Sequence, residues 1–233
     1  MVTDREEVKL RTTVVIPAKN EAATVAEIIR DASAYAAQII VVDGHSTDGT
    51  VAEAERLGVT VVLDNGRGKG DAIRCVIPLV STEYVVFMDA DGSHDADDIP
   101  RLVQPLVADE ADHVSGSRLL GGSSELHGGF DECFRLMGSS LITAFINWRF
   151  KVRLSESQNG FRALRTEVLR ALDLRENITT IEQEMIVKTL RRGFRMGEVA
   201  THEHARRAGE SKIRLTRVAF RYVWSLAKYL FIG

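Results

Sequence analysis

The stretch Tyr84-Val85-Val86-Phe87-Met88-Asp89-Ala90-Asp91 joins an apolar run to two carboxylates that are spaced two residues apart. A run of this kind, ending abruptly in acids, is typical of a buried strand that delivers polar groups to the edge of a sheet. Because side chains alternate along a strand, the pattern predicts that Asp89 and Asp91 share one face. Two carboxylates held this close favour a divalent cation with oxygen ligands between them. The alternative is that an isolated Asp-x-Asp serves only as a loop or helix cap.

The composition is that of an ordinary globular chain. Its 233 residues are 45% hydrophobic and 27% charged, which favours one large α/β domain over two small ones. The formal net charge of -3 gives no reason to expect a nucleic acid partner. The two cysteines, Cys75 and Cys133, lack the spacing of metal ligands and are typical of free thiols in a reducing compartment.

The hydropathy pattern predicts neither a signal peptide nor a membrane-spanning segment. The stretch Met1 to Arg11 is charged, and the sequence has no apolar run of about 18 residues that could cross a bilayer. We therefore expect a cytoplasmic protein that is either soluble or lies peripherally on the cytoplasmic face of a membrane.

Strand-like and helix-like segments alternate along the first 90 residues. Runs rich in apolar and β-branched residues are predicted as four strands: 12–16, 38–42, 59–63 and 84–88. Helical apolar spacing between them predicts three helices: 22–37, 51–57 and 71–79. This alternation predicts right-handed βαβ units and a mostly parallel, Rossmann-like α/β sheet flanked by helices. In such sheets ligands bind at the carboxyl ends of the strands.

Each predicted strand ends in a polar or glycine-rich loop, so the four loops are expected to converge on one edge of the sheet. The loops Pro17 to Glu21 and Asp43 to Asp48 offer hydrogen-bond acceptors for a base and a ribose. The loop Gly66 to Gly70 allows the backbone and Lys69 to approach phosphates. With the Asp-x-Asp pair holding a metal against the diphosphate, the pattern favours a nucleotide site.

Four segments in the first half of the chain are similar to family 2 glycosyltransferases with the GT-A fold: Val14-Val15-Ile16-Pro17-Ala18-Lys19-Asn20-Glu21, Val41 to Thr50, Gly68-Lys69-Gly70 and Asp89-Ala90-Asp91-Gly92-Ser93-His94. Later segments sharpen the resemblance toward the polyprenyl-phosphate (dolichyl-phosphate) mannosyl and glucosyl synthases: Gly116-Ser117-Arg118, Asn159-Gly160-Phe161-Arg162-Ala163, Gly193-Phe194-Arg195 and Arg206-x-x-Gly209-x-Ser211-Lys212. The resemblance covers residues 12 to 215.

Three positions depart from the pattern of that family. Asp43-Gly44-His45-Ser46 stands where the family usually has Asp-Asp-Gly-Ser, so Asp43 would recognise the base without a second carboxylate. Ser93 stands where a glutamine often assists the metal in the dolichyl-phosphate enzymes. Glu156 keeps the charge of an acid that usually precedes the Gly-Phe-Arg, but on a longer side chain.

The resemblance implies an inverting hexosyltransferase. The donor would be a nucleotide sugar of the GDP-mannose or UDP-glucose type, the acceptor a polyprenyl or dolichyl phosphate, and the cofactor Mg²⁺ or Mn²⁺, which stabilises the leaving diphosphate. A lipid phosphate is already anionic near neutral pH, so it needs cations to hold it and no strong general base.

Two alternatives stay open. A soluble acceptor that reacts through a hydroxyl would require a carboxylate base, for which Glu156, Asp131 and Glu132 are the nearby candidates. The chain could also be a non-catalytic nucleotide-sugar-binding subunit, given Gly44 and Ser93.

The resemblance also implies roles for individual residues. The catalytic residues are Asp89, Asp91, Arg118 and Glu156. The nucleotide-binding residues are Pro17, Lys19, Asn20, Glu21, Asp43, Ser46, Asp48, Gly68, Lys69, Asp89, Ala90 and Asp91. The metal ligands are Asp89, Asp91 and Ser93. The residues that hold the acceptor phosphate are Arg118, Arg135, Ser139, Arg206 and Lys212. The sugar-binding residues are Gly160, Arg162 and Glu184.

The pattern divides the chain into an N-terminal extension (1–11), a glycosyltransferase domain (12–213) and a basic amphipathic C-terminal helix (214–233). Between Arg206 and Lys228 lie seven basic residues and one acid, which favours an anionic membrane surface as a partner. A membrane-anchoring partner protein is a further possibility, and the alternative for the helix is packing on the domain with its basic face in solvent.

Two other features have more than one interpretation. The uncharged stretch from Leu136 to Trp148 is too short to span a membrane, so it is either a core helix or an interfacial helix that guides a polyprenyl tail. The histidines His94, His202 and His204 lack the spacing of metal ligands, and we interpret them as solvated loop residues.

Overall fold

The computed structural model describes residues 5–124 and 130–206 and six later positions, 221, 222, 224, 225, 228 and 229, with helix residues 130–135 described by their backbone alone. The strands are β1 (Thr12–Ala18), β2 (Gln38–Asp43), β3 (Thr60–Leu63), β4 (Tyr84–Phe87), β5 (His113–Ser117), β6 (Arg162–Arg165) and β7 (Met196–Ala200). The α-helices are α1 (Arg5–Leu10), α2 (Val25–Ser33), α3 (Thr50–Arg56), α4 (Lys69–Val76), α5 (Ile99–Val107), α6 (Arg118–Gly121), α7 (Phe130–Phe150), α8 (Thr166–Ala171) and α9 (Ile181–Arg191). Short 3-10 helices span Ile77–Leu79 and Ala96–Asp98.

The seven strands form one sheet in the order β3-β2-β1-β4-β6-β5-β7. Strand β6 runs antiparallel to β4 and β5, and the other neighbouring pairs are parallel. This arrangement confirms the predicted mostly parallel α/β sheet and the four predicted N-terminal strands. Because β1 to β4 run the same way, their following loops lie at one edge of the sheet.

Helices cover both faces of the central strands. On β1, Val14 and Ile16 pack into one cluster with α2 and α5, whereas Val15 packs into a second cluster with α4, α8 and α9. The continuous apolar runs of the central strands follow from this burial on both faces.

Two helices differ from the prediction at both ends: α2 spans Val25–Ser33 instead of 22–37, and α4 spans Lys69–Val76 instead of 71–79. Helix α2 begins at Val25 and not at residue 22, because a turn precedes it in which the Thr24 hydroxyl donates to the Ala90 carbonyl at 2.7 Å. Helix α4 ends at Val76, and a 3-10 turn containing Pro78 continues to Leu79. The Thr24 hydrogen bond thus connects the start of α2 to the turn after β4 that contains Asp89 and Asp91, which is called the acidic turn.

Only part of the predicted C-terminal helix (214–233) lies within the described residues. Tyr222 donates to the Thr179 hydroxyl at 2.6 Å, and Tyr229 is buried in a cluster with Ile146 and Val187. These contacts join the described C-terminal positions to α7 and to the loop before α9. Among the described helices, none is both long and apolar enough to cross a membrane. The predicted domain boundaries stay predictions.

A fully buried histidine lies in the core on β5. His113 on β5 hydrogen-bonds through Nδ1 to the Thr189 hydroxyl at 2.9 Å, and its Nε2 has no hydrogen-bond partner among the described residues. Burial lowers the pKa of His113 well below its usual range, and the positive charge of Arg162 lowers it further. The side chain is therefore neutral in the folded protein.

We expect the protein to lose stability as the pH falls below about 6.5, because the unfolded chain then protonates His113 and the folded chain does not. The contribution is about 1.4 kcal/mol per pH unit below that value, and His113→Gln should remove it. Urea unfolding at pH 7.5 and 5.5 measures the difference, with the exposed His204→Gln as the matched control. Equal pH dependence of the wild type and His113→Gln would contradict the assignment.

Candidate active site

The loops that follow β1, β2, β3 and β4 line a single cleft of about 330 Å³ at the carboxyl edge of the sheet. Its lining includes the predicted nucleotide-binding residues Pro17, Lys19, Gly68, Lys69 and Asp89. The structure thus brings together loops that are separated by up to 72 residues of sequence, from Pro17 to Asp89.

Hydrogen bonds lock the first two loops to each other. The Asn20 amide donates to the Ser46 hydroxyl at 2.8 Å, and the Asn20 side-chain oxygen accepts from the Thr47 amide at 2.8 Å. Asp48 accepts from the Ala22 amide at 3.2 Å. Three of the predicted nucleotide-binding residues therefore also shape the rim of the cleft.

Asp43, at the end of β2, is a buried carboxylate with an unused acceptor. Its Oδ2 accepts from the Ser46 amide at 3.0 Å, whereas Oδ1 has no hydrogen-bond partner among the described residues. A buried carboxylate oxygen of this kind is stabilised when a donor group reaches it. The role of Asp43 in recognising a base stays a prediction.

The sequence interpretation missed a second carboxylate on the rim. Asp64 directly follows β3 and lines the cleft together with Arg67. Its Oδ1 accepts from the Gly66 amide at 2.7 Å and lies 3.4 Å from His45 Nε2. The signal was an acid at the end of a predicted strand, as at Asp43 and Asp89.

The acidic pair lies in a turn and not on a strand. Strand β4 ends at Phe87. Gly92 has a φ of 78°, which lies in the left-handed region that glycine adopts readily. The prediction that Asp89 and Asp91 share one strand face was therefore wrong. The turn is held by Ser93, whose amide and hydroxyl donate to Asp91 Oδ1 at 3.1 and 2.7 Å. Ser93 thus orients Asp91, and its predicted role as a ligand stays a prediction.

Lys69 joins the acidic turn to helix α9. Its Nζ lies 2.6 Å from Asp89 Oδ1 and 3.0 Å from Glu182 Oε1. Burial by itself lowers the pKa of Lys69, but the two carboxylates outweigh burial and raise it. Burial would likewise raise the pKa of Asp89, but Lys69, His94 and Arg206 lower it to about 2. Both groups are therefore charged near neutral pH.

His94 is buried, so its interpretation as a solvated loop histidine was wrong. Its ring stacks on Phe161 with centroids 4.7 Å apart, and its Nδ1 accepts from the Asp89 amide at 3.1 Å. Burial lowers the pKa of His94 although Asp89 and Asp91 oppose the shift. The neutral ring fixes the backbone of the acidic turn.

The donor set of the turn fits a hard divalent ion that arrives with a diphosphate. Asp89 Oδ1 pairs with Lys69 and Asp91 Oδ1 with Ser93, which leaves one oxygen of each carboxylate for other contacts. Arg206 Nε lies 3.4 Å from Asp91 Oδ2. No group of three potential ligand side chains occurs in the described part of the chain. Mg²⁺ in particular is commonly held by one or two carboxylates plus substrate phosphates and water.

A second charged cluster joins Arg118, Glu156 and Glu203. Arg118 Nε lies 2.7 Å from Glu156 Oε1, and its Nη1 donates to Glu203 Oε1 at 2.7 Å. The Arg118 amide also donates to Glu156 Oε2 at 3.1 Å. Burial raises the pKa of Glu156 although Arg118 opposes the shift. Glu203 was missed by the sequence interpretation, because it carries no motif and is 85 residues from Arg118.

Two of the predicted sugar-binding residues, Arg162 and Glu184, are buried and bonded within the protein. Arg162 is fully buried and donates to the Glu182 and Asn159 carbonyls, and burial lowers its pKa to about 10. Glu184 is also fully buried, accepts from the Arg175 and Glu176 amides and pairs with Lys188 at 2.8 Å. These contacts favour supporting roles over contact with a sugar.

Glu182 and the predicted sugar-binding residue Gly160 lie beside the acidic turn. Glu182 reaches Lys69, and Gly160 lies close to both Lys69 and Asp89. Glu182 is therefore a better candidate than Glu184 for the acid that faces a sugar.

Replacing Gly160 by alanine is expected to lower turnover by about 10²-fold, because the added Cβ would lie 2.6 Å from Lys69 Nζ and 2.9 Å from Asp89 Oδ2. The side chains must shift, while the backbone does not require a positive φ. Steady-state kinetics measures the loss. The matched control is Gly138→Ala on α7, where an added Cβ meets no heavy atom within 4 Å. Unchanged kinetics in Gly160→Ala would contradict the predicted crowding.

The predicted acceptor-phosphate residues are only partly described. Arg206 lies against Asp91, and Arg118 lies in its ion-pair cluster. The Ser139 carbonyl accepts from the Thr143 hydroxyl within α7. The side chain of Arg135 and all of Lys212 lie outside the described residues, as do the side chains of Asp131 and Glu132.

Known proteins resemble this chain in sequence over most of its length. The family model described as Glycosyl transferase family 2 matches residues 13–172. The glycosyltransferase AglJ of Haloferax volcanii is 31% identical over 198 residues, which cover 84% of this chain and 64% of AglJ. The chain thus spans less than two thirds of that relative. The dolichyl-phosphate hexose transferase of the same organism is 27% identical over 206 residues, covering 86% of this chain and 85% of the relative.

A solved structure shares the fold. Glucosyl-3-phosphoglycerate synthase from Mycobacterium tuberculosis, in complex with Mn²⁺, uridine diphosphate and phosphoglyceric acid, superposes with a TM-score of 0.77. The match covers 95% of this chain and 79% of that one at 23% sequence identity. At this level of identity the match shows a shared fold alone.

Proposed function

This chain belongs to glycosyl transferase family 2, and from that membership we propose that it transfers a hexose from a nucleotide sugar to a polyprenyl phosphate, with inversion at the anomeric carbon. The observation that carries the proposal is the Asp89-x-Asp91 turn, in which Asp89 pairs with Lys69 at the end of the cleft and Asp91 lies beside Arg206. We place the enzyme at the cytoplasmic face of a membrane, where a polyprenyl phosphate presents its head group.

The cleft supports a nucleotide sugar as the donor. Its volume of about 330 Å³ falls in the range of small-molecule sites. Asp43 and the cross-linked loops after β1 and β2 bind the nucleoside, and the loop Gly68-Lys69 binds the diphosphate. Both guanosine and uridine donors suit a carboxylate that accepts hydrogen bonds from a base.

The chain's own residues prepare the leaving group. Lys69 contributes a fixed positive charge near the diphosphate, and Asp89 and Asp91 would hold Mg²⁺ or Mn²⁺ there. The metal, when bound, supplies Lewis acidity that stabilises charge on the leaving diphosphate. Ser93 and His94 orient the acidic turn before substrate arrives. Such preorganisation lowers the barrier because the groups need not rearrange during the reaction.

The chemistry of a lipid phosphate and two observations support it as the acceptor. Its oxygen is anionic near neutral pH and attacks without a general base, so the site needs cations. Arg206 lies 3.4 Å from Asp91, so a cation is present beside the acidic turn, where we expect the acceptor phosphate to bind. A relative that spans most of this chain is named a dolichyl-phosphate hexose transferase.

A second candidate is transfer to a hydroxyl of a soluble acceptor. Arg118 is paired with Glu156 and Glu203, so two acids offset its positive charge and the cluster offers no net attraction to an anion. The buried Glu156, with its raised pKa, has the character of a general base. The fold neighbour crystallised with phosphoglyceric acid illustrates a soluble phosphorylated acid as ligand of this fold.

An acceptor screen separates these functions. Purified protein is incubated with GDP-mannose or UDP-glucose, with Mg²⁺, Mn²⁺ or a chelator, and with polyprenyl phosphate in detergent micelles or phosphoglyceric acid. We expect release of nucleoside diphosphate, together with a glycolipid, only when the lipid phosphate and a metal are present. Release of nucleoside diphosphate with phosphoglyceric acid, and not with polyprenyl phosphate, would support the second candidate. Donor binding in a thermal-shift assay without turnover on either acceptor would indicate a non-catalytic subunit.

A further inference from the structure

Helix α7 (Phe130–Phe150) carries a row of exposed apolar side chains. Met137, Leu141, Phe145 and Trp148 are between 52% and 62% exposed. Their spacing of four, four and three residues places them on one side of the helix. These four residues are called the outer face of α7.

The opposite side of α7 is already packed on the domain. Ile146 is fully buried in a cluster with Leu154 and Ile186. The Thr143 hydroxyl donates to the Ser157 hydroxyl at 2.8 Å, and Asn147 exchanges hydrogen bonds with the backbone of Leu154. In the described part of the chain, α7 therefore meets the protein through this side, whereas its outer face is exposed. An exposed group of large apolar side chains marks a surface that contacts a partner or a membrane.

The charged residues that directly follow the outer face in sequence have one sign. From residue 136 to residue 155 the charged residues are Arg149, Lys151 and Arg153, and no acid occurs. Lys151 Nζ lies 6.0 Å from the centre of the Trp148 ring, and the Arg149 guanidinium lies 5.2 Å from that of Phe150. Aromatic rings beside long cationic side chains are typical of the boundary between lipid tails and head groups.

We propose that the outer face of α7 inserts into the surface of an anionic lipid bilayer, with Arg149, Lys151 and Arg153 at the lipid phosphates. The charge favours anionic lipid over a second copy of this chain, whose outer face would bring the same cations. The area argues the same way: four half-exposed side chains offer on the order of 400 Å², whereas a stable dimer buries about 800 Å² on each partner.

The position of α7 gives this surface a use, which rests on the proposed lipid acceptor. Thr143 contacts Ser157, and the neighbouring Glu156 pairs with Arg118. Leu119 and Leu120, which directly follow Arg118, are also about half exposed. Helix α7 thus lies between the outer face and the loop of Glu156, so a bilayer held on that face would present a lipid phosphate within one helix diameter, roughly 10 Å, of this loop.

Vesicle binding tests the surface without any acceptor. The full chain is sedimented with vesicles of phosphatidylcholine containing phosphatidylglycerol, and with vesicles of phosphatidylcholine alone, neither of which contains polyprenyl phosphate. We expect binding to the anionic vesicles that weakens with added salt. The double variant Phe145→Ser/Trp148→Ser should reduce the partition coefficient at least about tenfold, because the lost apolar contacts are those that enter the lipid.

Two leucines of similar exposure provide the control, one on α7 and one on α1. Leu141→Ser removes a side chain that is 60% exposed on α7, and Leu10→Ser removes one that is 63% exposed on α1. We expect weaker vesicle binding in the first and unchanged binding in the second, with thermal unfolding confirming that both fold. Equal binding of the wild type and Phe145→Ser/Trp148→Ser, or no binding of the wild type, would overturn the proposal.

Two further outcomes are informative. A wild-type dimer that becomes monomeric in Phe145→Ser/Trp148→Ser, without vesicle binding, would assign the outer face to a second copy and overturn the membrane proposal. The acceptor screen in detergent micelles is independent of vesicle binding. Failure of sugar transfer with intact vesicle binding would reject the proposed function alone, and the reverse result would reject the docking surface alone.

Discussion

Replacing Asp91 by asparagine is expected to lower sugar transfer by about 10²–10³-fold while the chain still folds. Asparagine keeps an oxygen that accepts from the amide and hydroxyl of Ser93, so the turn is retained. The charge that would hold the divalent ion against the diphosphate is lost, and with it the stabilisation of the leaving group. The readouts are kcat/KM for the nucleotide sugar and a Mn²⁺ titration in the presence of the nucleoside diphosphate.

The matched control for Asp91 lies four residues further along the chain. Asp95 caps the 3-10 helix Ala96–Asp98 by accepting from the Asp97 amide at 2.9 Å. Asp95→Asn should therefore leave turnover and Mn²⁺ affinity within a few-fold of the wild type. Turnover that is undiminished in Asp91→Asn, or an equal loss in Asp95→Asn, would remove the metal-binding role of the acidic turn.

Replacing Arg118 by methionine is expected to destabilise the fold by about 3 kcal/mol at pH 7.5. Glu156 is buried and pairs with Arg118, so the substitution leaves a buried carboxylate without its cation and beside Glu203. Breaking a buried ion pair by removing one partner is more destabilising than removing both. The double variant Arg118→Met/Glu156→Gln should therefore recover part of the lost stability. Urea unfolding of the wild type, both single variants and the double variant gives the coupling energy.

The pH dependence of Arg118→Met provides a second readout. Burial already raises the pKa of Glu156, and the variant loses the charge of Arg118, which lowers it. A carboxyl group whose pKa is higher in the folded state destabilises the fold above that pKa, and this effect disappears once the pH falls below the unfolded value of about 4.3. The stability deficit of Arg118→Met should thus shrink as the pH is lowered from 7.5. A deficit that is independent of pH, or no recovery in the double variant, would contradict the ion-pair account.

The cluster around Arg118 also bears on the choice of acceptor. An anionic acceptor phosphate must share Arg118 with Glu156 and Glu203, or be held by other cations such as Arg206. A hydroxyl acceptor would use Glu156 itself. Glu156→Gln should therefore retain turnover with a lipid phosphate and abolish it with a hydroxyl acceptor.

Several features of the protein were determined by the sequence alone. The apolar runs at β1, β2 and β4, and the helical spacing between them, predicted the mostly parallel sheet, because burial on both faces imposes a local periodicity. The order of the loop motifs predicted the family and the cleft. The position of the Asp89-x-Asp91 pair was also predicted, although its geometry as a strand face was not.

Other features were decided only by the tertiary structure. Glu182 meets Lys69 and Glu203 meets Arg118 across 113 and 85 residues of sequence, and His94 becomes buried against Phe161. The outer face of α7 is distinguished from its packed side by what lies next to it, since both sides are apolar. The spacing of apolar residues along a strand or helix depends on neighbouring positions in the chain, so the sequence by itself shows it. Which distant charge neutralises a buried group depends on how whole elements pack, and no local pattern records that.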